Sequence, residues 1–222
     1  MPITNPMPPS DAAARARAAL REDAAAACAA SLAHVAGTHA LLLDEAGAQA
    51  PVLPGVARWT VLHPAPGGSG WQGPLRAESD ALPFGDDSFC AVLVRFAGAV
   101  GVLPETVAGE LSRVLAPHGV LLVVDMHTGS LWPGDGMSPR RWERALRAAD
   151  LDVAPAVRCG SPWPRARGAE GLPRWLVRGL GGAYVIAAHR CSSAVIPLRK
   201  AAERRRKLEH GAFVPGARRQ CA

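Results

Sequence analysis

Residues 80–125 read DALPFGDDSFCAVLVRFAGAVGVLPETVAGELSRVLAPHGVLLVVD. Within this stretch Ser88–Phe96 is a continuous apolar run of strand length, as expected of a strand buried on both faces. Pro104–Leu115 follows as a helix. Proline and Glu105 suit its first turn, and Val107, Leu111, Val114 and Leu115 recur at helical spacing. Pro117–Gly119 breaks it, and Val120–Met126 is a second buried strand. Strand, helix and strand in this order form half of a doubly wound α/β unit.

Working outward, residues 1–11 are proline-rich and expected to be disordered. Residues 12–37 form an alanine-rich helix, which Ser10 or Asp11 could cap and Gly37 could end. His39–Glu45 and Arg58–His63 are the first two strands. Pro64–Gly73 reads as loop and Pro74–Glu78 as a weak third strand. Beyond the central unit a helix is expected over Pro139–Ala149, with Trp142, Leu146 and Ala149 on one face. Its other face carries Arg140, Arg141, Arg144 and Arg147. Asp150–Arg158 and Gly182–Arg190 are two further strands. The expected architecture is one α/β domain over residues 38–191, with a mostly parallel seven-stranded sheet, an antiparallel edge strand and helices on both faces.

The 222 residues carry a net charge of +6, unevenly spread. Pro197–Ala222 holds eight Lys/Arg and two acids, which leaves 17 of each sign in residues 1–196. The basic character therefore belongs to the tail, residues 192–222, and not to a face of the domain. Five widely spaced cysteines show no metal-ligand or redox-motif spacing, consistent with free thiols in a reducing cytoplasm. The first residues lack the pattern of a signal peptide, and no apolar run is long enough to span a membrane.

Two blocks carry a family resemblance. Asp80, Ala81, Leu82, Pro83, Phe84, Asp86, Asp87, Ser88 and Phe89 form the first. Glu110, Leu111, Arg113, Val114, Leu115, Pro117 and Gly119 form the second. In wording and spacing they resemble the methyltransferase 11 group of class I S-adenosylmethionine (SAM) methyltransferases, over about residues 39–127. Cys90 stands where the group has an acid, and His118 where it has a glycine. The segment Ile196-Pro197-Leu198 and the end Gly216–Cys221 resemble a small bacterial subfamily of the YafS type, which also has a worn first loop.

The resemblance implies a Rossmann-like fold with SAM across the carboxyl ends of the parallel strands. Asp80 would contact the adenine amino group, and the backbone at Ala81 and Leu82 would flank the ring. The loop after the fourth strand, with Phe96, would face the sulfonium. Asp44 and Gly47 would belong to the first cofactor loop, and His63 would reach the ribose. The departures lie in these last elements. The group's glycine-rich loop is Asp44-Glu45-Ala46-Gly47-Ala48-Gln49 here, with a single glycine. Only glycine lets backbone come close to a ligand. His63 replaces the acid at the end of the second strand, and neutral imidazole lacks the two-oxygen grip of a carboxylate.

Several residues admit two readings. Asp80 suits an adenine contact or the cap of a turn. Asp86 and Asp87 suit an acid pair or solvated turn positions. Asp125 and His127, two apart on a strand, share a face and could act as an acid–base pair. Trp163 and Trp175, among Arg165, Arg167, Arg174 and Arg178, could form a lid or a nucleic-acid contact. The tail, residues 199–219, could engage nucleic acid or an acidic partner through its cations, or could be a solvated segment. The leading functional expectation is SAM-dependent methyl transfer to an unidentified acceptor. The rival is a protein of this fold that no longer catalyses and serves as a binding scaffold.

Overall fold

The computed structural model describes residues 11–45, 47–66, 70–96, 102–132, 136–164 and 181–191. The expectations for residues 1–10, for the Arg–Trp loop from residue 165 to 180, and for the tail from residue 192 lie outside them.

The chain runs α1 (Asp11–Leu32), β1 (Gly37–Leu43), β2 (Val56–Pro64), β3 (Gly70–Gln72), β4 (Arg76–Glu78) and β5 (Phe89–Arg95). It continues through α2 (Pro104–Val114), β6 (Leu115–Met126), α3 (Pro139–Ala148), β7 (Leu151–Val153), β8 (Val157–Cys159) and β9 (Ala183–Arg190). The strands form one sheet in the order β4-β3-β2-β1-β5-β6-β9-β7, with β8 also on β9. The four central strands, β2, β1, β5 and β6, are parallel. Order reverses between β1 and β5, which makes that the switch point of a Rossmann-like α/β sheet.

The fold class is the expected one, with differences in detail. Among the described residues there are nine strands instead of seven, because the anticipated loop at Pro64–Gly73 contributes β3 and the segment Asp150–Arg158 splits into β7 and β8. The antiparallel strand β9 is internal, between β6 and β7. The β3–β4 hairpin adds a second antiparallel region at the opposite edge. Helix α1 ends at Leu32, and Gly37 opens β1 instead of capping the helix.

Alternation along the strands sorts the core into two layers. Leu41, Leu43, Val92, Val94, Leu121 and Val123 face α2 and α3, where Leu111, Val114, Trp142 and Leu146 are buried. Leu42, Leu93, Leu122 and Val124 face the other way, against Ala16, Leu20, Ala24, Cys28 and Leu32 of α1. These five recur every four residues, a row that is inclined to the axis of α1. The row is mostly small side chains.

Among the described residues no helix joins β1 to β2, although parallel neighbours are usually joined through one. Residues 44–55 include Pro51 and Pro54, which cannot sit inside a helix. The segment returns as irregular chain, and the N-terminal α1 covers the face instead. The turn before β2 is tied down by Gly37 N–H donating to the Gly55 carbonyl at 2.7 Å.

The Pro117–Gly119 break is a bulge at the start of β6, where the β5–β6 register shifts between Phe89/Leu115 and Ala91/Val120. His118 takes φ +62° there. That left-handed conformation is easy for glycine and costs a side-chain-bearing residue about 1–2 kcal/mol. Gly119 is required sterically, since a Cβ would lie 2.7 Å from the Ala116 carbonyl oxygen. Among the described residues, no helix is long and apolar enough to cross a membrane.

Candidate functional site

The loop from Asp80 to Ser88 is built around Arg113 of α2. Its guanidinium donates to Glu110 through Nε at 2.9 Å and through a terminal nitrogen at 2.7 Å. It also donates to the carbonyls of Phe84 at 2.8 Å and Leu82 at 3.0 Å, and to Asp86 Oδ1 at 2.7 Å. Glu110 in turn accepts the Leu82 backbone N–H at 2.9 Å. The two family-like blocks therefore meet in space. The Glu and Arg of the second are the scaffold for the Leu-Pro-Phe turn of the first. Leu82 is buried, and Phe84 stacks edge-on against Phe89 at 4.8 Å. Asp87, at φ +59°, pairs with Arg190 of β9. Asp86 and Asp87 thus act as ion-paired turn residues.

Arg113 holds the Glu110 carboxyl below its ordinary range, chiefly by hydrogen bonding, with Leu82 N–H adding to it. A depressed folded-state pKa contributes stability above the unfolded value and loses it as pH falls through the folded one. Stability is therefore expected to drop as pH falls below about 4, near the unperturbed glutamate value. Glu110→Gln should flatten that acid slope, as read from melting temperature against pH.

An open cleft of about 970 Å3 lies against this loop. The β3–β4 hairpin supplies Trp71, Gln72, Arg76 and Glu78. Ser79 and Asp80 continue that wall, and Val102, Leu103 and Thr106 at the start of α2 form the opposite one. The volume lies within the usual range for small-molecule sites. Trp71 is buried and Asp80 exposed on the rim. The hairpin is what gives the cleft a wall, and the sequence reading treated its first strand as loop.

The carboxyl end of β1 is arranged differently. Asp44 is only 2% exposed. Its carboxylate pairs with Arg95, the last residue of β5, and lies 3.7 Å from Arg21 of α1. It also accepts the Glu45 N–H at 2.7 Å. Arg21 pairs with Glu45 as well, and its guanidinium carbon sits 5.2 Å above the Phe96 ring. Arg95 reaches the Gln49 carbonyl at 2.8 Å. Burial raises the Asp44 pKa, and the two arginines oppose that shift without cancelling it.

Phe96 has φ +54°, an outlier for a bulky residue. Its N–H donates to the Val124 carbonyl at 2.7 Å, and its ring is buried beneath Arg21. Residues held in such conformations cost about 1–3 kcal/mol and cluster at functional sites.

The residues anticipated for the cofactor therefore separate. Asp80 lines the cleft. Ala81 is exposed beside it, whereas Leu82 turns inward and commits its N–H to Glu110. Asp44 is engaged by two arginines. Gly47, at φ +81°, has open space where a Cβ would be. His63 lies near the end of β2, where it pairs with Gln72 of β3. Asp125 is fully buried opposite Tyr184. His127 accepts the Gly129 N–H at Nδ1 at 3.0 Å, and its pKa is lowered by burial and then by Arg158. Burial pushes Cys28 up to about 11 and Cys159 up to about 12, so neither is a thiolate nucleophile at neutral pH.

Solved methyltransferases are among the structures to which the chain is similar. A SAM-dependent methyltransferase from Mesorhizobium loti superposes with a TM-score of 0.49 at 15% identity, covering 77% of this chain and 100% of its own. A SAM-dependent methyltransferase from Thermotoga maritima gives 0.48 at 15%, covering 80% and 92%. A Haloferax volcanii protein in complex with the Trm112 methyltransferase activator gives 0.47 at 14%, covering 84% and 100%. No protein-family model and no curated protein matches the sequence. Fold likeness alone does not carry activity, so the chemistry of the two half-sites decides how far a SAM reading goes. Beside Asp80 lies an open cleft, and its exposed carboxylate is able to accept from an amino group. At the carboxyl end of β1 the buried Asp44 carboxylate is already satisfied, and among the described residues no helix N-terminus follows β1.

Proposed function

We propose that this chain is a SAM-dependent methyltransferase that holds its cofactor mainly by the nucleoside. The observation that supports this reading is the open cleft lined by Asp80, beside the carboxyl end of β2 at Ala65 and Pro66. Asp80 accepts a hydrogen bond from the adenine amino group. Ala81 borders the ring, and Leu103 and Thr106 close the far side. SAM supplies an electrophilic methyl group, and the residues of the site hold it in line with an acceptor. Alignment of this kind can provide much of the rate enhancement, so the reading needs no general base. The acceptor, the type 11 and YafS-type assignments, and a cytoplasmic location belong to the same proposal. The two likenesses rest on the Asp80–Gly119 blocks and on the terminal segments respectively.

Asp80→Ala is expected to weaken S-adenosylhomocysteine binding about tenfold or more. A hydrogen bond to a charged group contributes about 1.5–3 kcal/mol, and each 1.4 kcal/mol is about tenfold. Because Asp80 is exposed, the melting temperature without ligand should stay unchanged. A ligand-induced thermal shift equal in wild type and variant would count against the site.

The cluster at the end of β1 favours a second reading. Asp44, Arg95 and Arg21 satisfy one another without a ligand, as expected of a binding scaffold that has lost the reaction. Under that reading neither SAM nor S-adenosylhomocysteine shifts the melting temperature at all.

A further inference from the structure

Helix α3 has the sequence PRRWERALRA, with four arginines against one glutamate. Residues 1–196 as a whole carry equal numbers of acids and bases, so this ten-residue helix is a local cationic excess on a balanced body. Its apolar side is spent, since Trp142, Ala145 and Leu146 are buried. Arg140, Arg144 and Arg147 are all exposed. Their i, i+4, i+7 spacing sets them in one row along the helix, about 10 Å from first to last at 1.5 Å per residue.

The neighbouring acids offset the row only in part. Glu143 lies 3.6 Å from Arg147 and is shared with the Ala156 N–H at 3.2 Å. Glu105 is taken by Arg141 at 2.7 Å. That same Arg141–Glu105 pair fastens the first turn of α3 to the first turn of α2. The first turn of α2 also carries Thr106, which lines the cleft.

We propose that the exposed face of α3 is a docking surface for the phosphate backbone of single-stranded nucleic acid. Guanidinium groups present planar forks of donors that match phosphate oxygens in pairs. A row of them follows one strand without reading its bases, since phosphate contacts position rather than specify. A membrane surface fits less well. Interfacial helices bury an apolar face in the lipid, and the apolar face of α3 is already inside the protein. This surface is proposed independently of the SAM reading.

The test is fluorescence anisotropy of a labelled single-stranded oligoribonucleotide with the full-length chain, across about 50 to 200 mM salt. The variants are the triple change Arg140→Gln, Arg144→Gln, Arg147→Gln and its lysine counterpart. The side chains are exposed, and a melting curve confirms that each variant folds. The glutamine variant is expected to bind tenfold or more weakly at low salt. The slope of log affinity against log salt should fall by about two units, at about 0.7 per phosphate contact for a single strand. The lysine variant should keep most of the slope and lose part of the affinity. The proposal is overturned if wild type does not bind the oligonucleotide. It is equally overturned if the glutamine variant keeps wild-type affinity and slope. Loss of binding to phosphatidylserine vesicles in the glutamine variant, with nucleic-acid binding untouched, would assign the row to lipid and overturn it too.

Discussion

Replacing Arg113 by alanine is expected to destabilise the protein by about 2–4 kcal/mol, more than its surface position suggests. Exposed ion pairs alone contribute little. Here one guanidinium donates to two carboxylates and two backbone carbonyls, and its side chain is one-third exposed. Hydrogen bonds to charged groups contribute about 1.5–3 kcal/mol each when well formed, and the losses within one network are not additive. The Leu82 and Phe84 carbonyls would lose their donor, and Glu110 would keep only Leu82 N–H. Lysine should not rescue the variant, because a single ammonium cannot reach acceptors on four residues. Urea denaturation of wild type, Arg113→Ala and Arg113→Lys measures this directly. A midpoint for the alanine variant equal to wild type would refute the role of Arg113 as the scaffold of the Asp80–Ser88 loop. Because that loop carries Asp80, the same variant should also lose ligand affinity.

Arg95→Ala is the second large expected effect, at about 3–5 kcal/mol. Removing one member of a buried ion pair leaves the other charge uncompensated. The Asp44 side chain is 1% exposed and that of Arg95 16%. Arg21 remains at 3.7 Å and softens the loss, which places the value towards the lower end of the range. Burial already raises the Asp44 pKa against both arginines, and losing Arg95 raises it further. A raised carboxyl pKa in the folded state favours folding at low pH and costs stability as pH rises through it. The gap between wild type and Arg95→Ala should therefore be widest near neutral pH and narrow as pH falls. The double change Asp44→Leu, Arg95→Met should recover most of the stability, as apolar replacements of buried pairs often do. A gap that is constant across pH would show that Asp44 is not the group responsible.

The central unit was legible because its signals are local. The apolar run ending at Arg95, the proline at the start of α2 and the break at Pro117 each act within a few residues. The scaffold inside it was not legible in the same way. Glu110 and Arg113 look like two charges on a solvated helix face until the loop from Asp80 folds back onto them. His118 was visible only as a missing glycine; its positive φ explains why glycine suits that position and what histidine costs there. The hairpin β3–β4 was half missed, since Gly70–Gln72 is too short to show alternation and sits in a proline- and glycine-rich stretch. The Asp44 cluster was hidden by distance along the chain. Arg21 lies in a helix whose alanines dominate its reading, and Arg95 closes an apolar strand. That arginine at the end of a buried run was the one available signal that an acid would be waiting for it. For the site, sequence pointed to the Asp80 region, and Asp80 lines the cleft. It could not tell that Leu82 would spend its N–H on Glu110.

The most direct test of the account is isothermal titration calorimetry of S-adenosylhomocysteine into wild type and Asp80→Ala. The predicted result is one saturable site in wild type, with affinity lowered about tenfold or more in the variant. Absence of a binding isotherm for wild type at millimolar ligand would contradict the proposal that this fold still holds the cofactor.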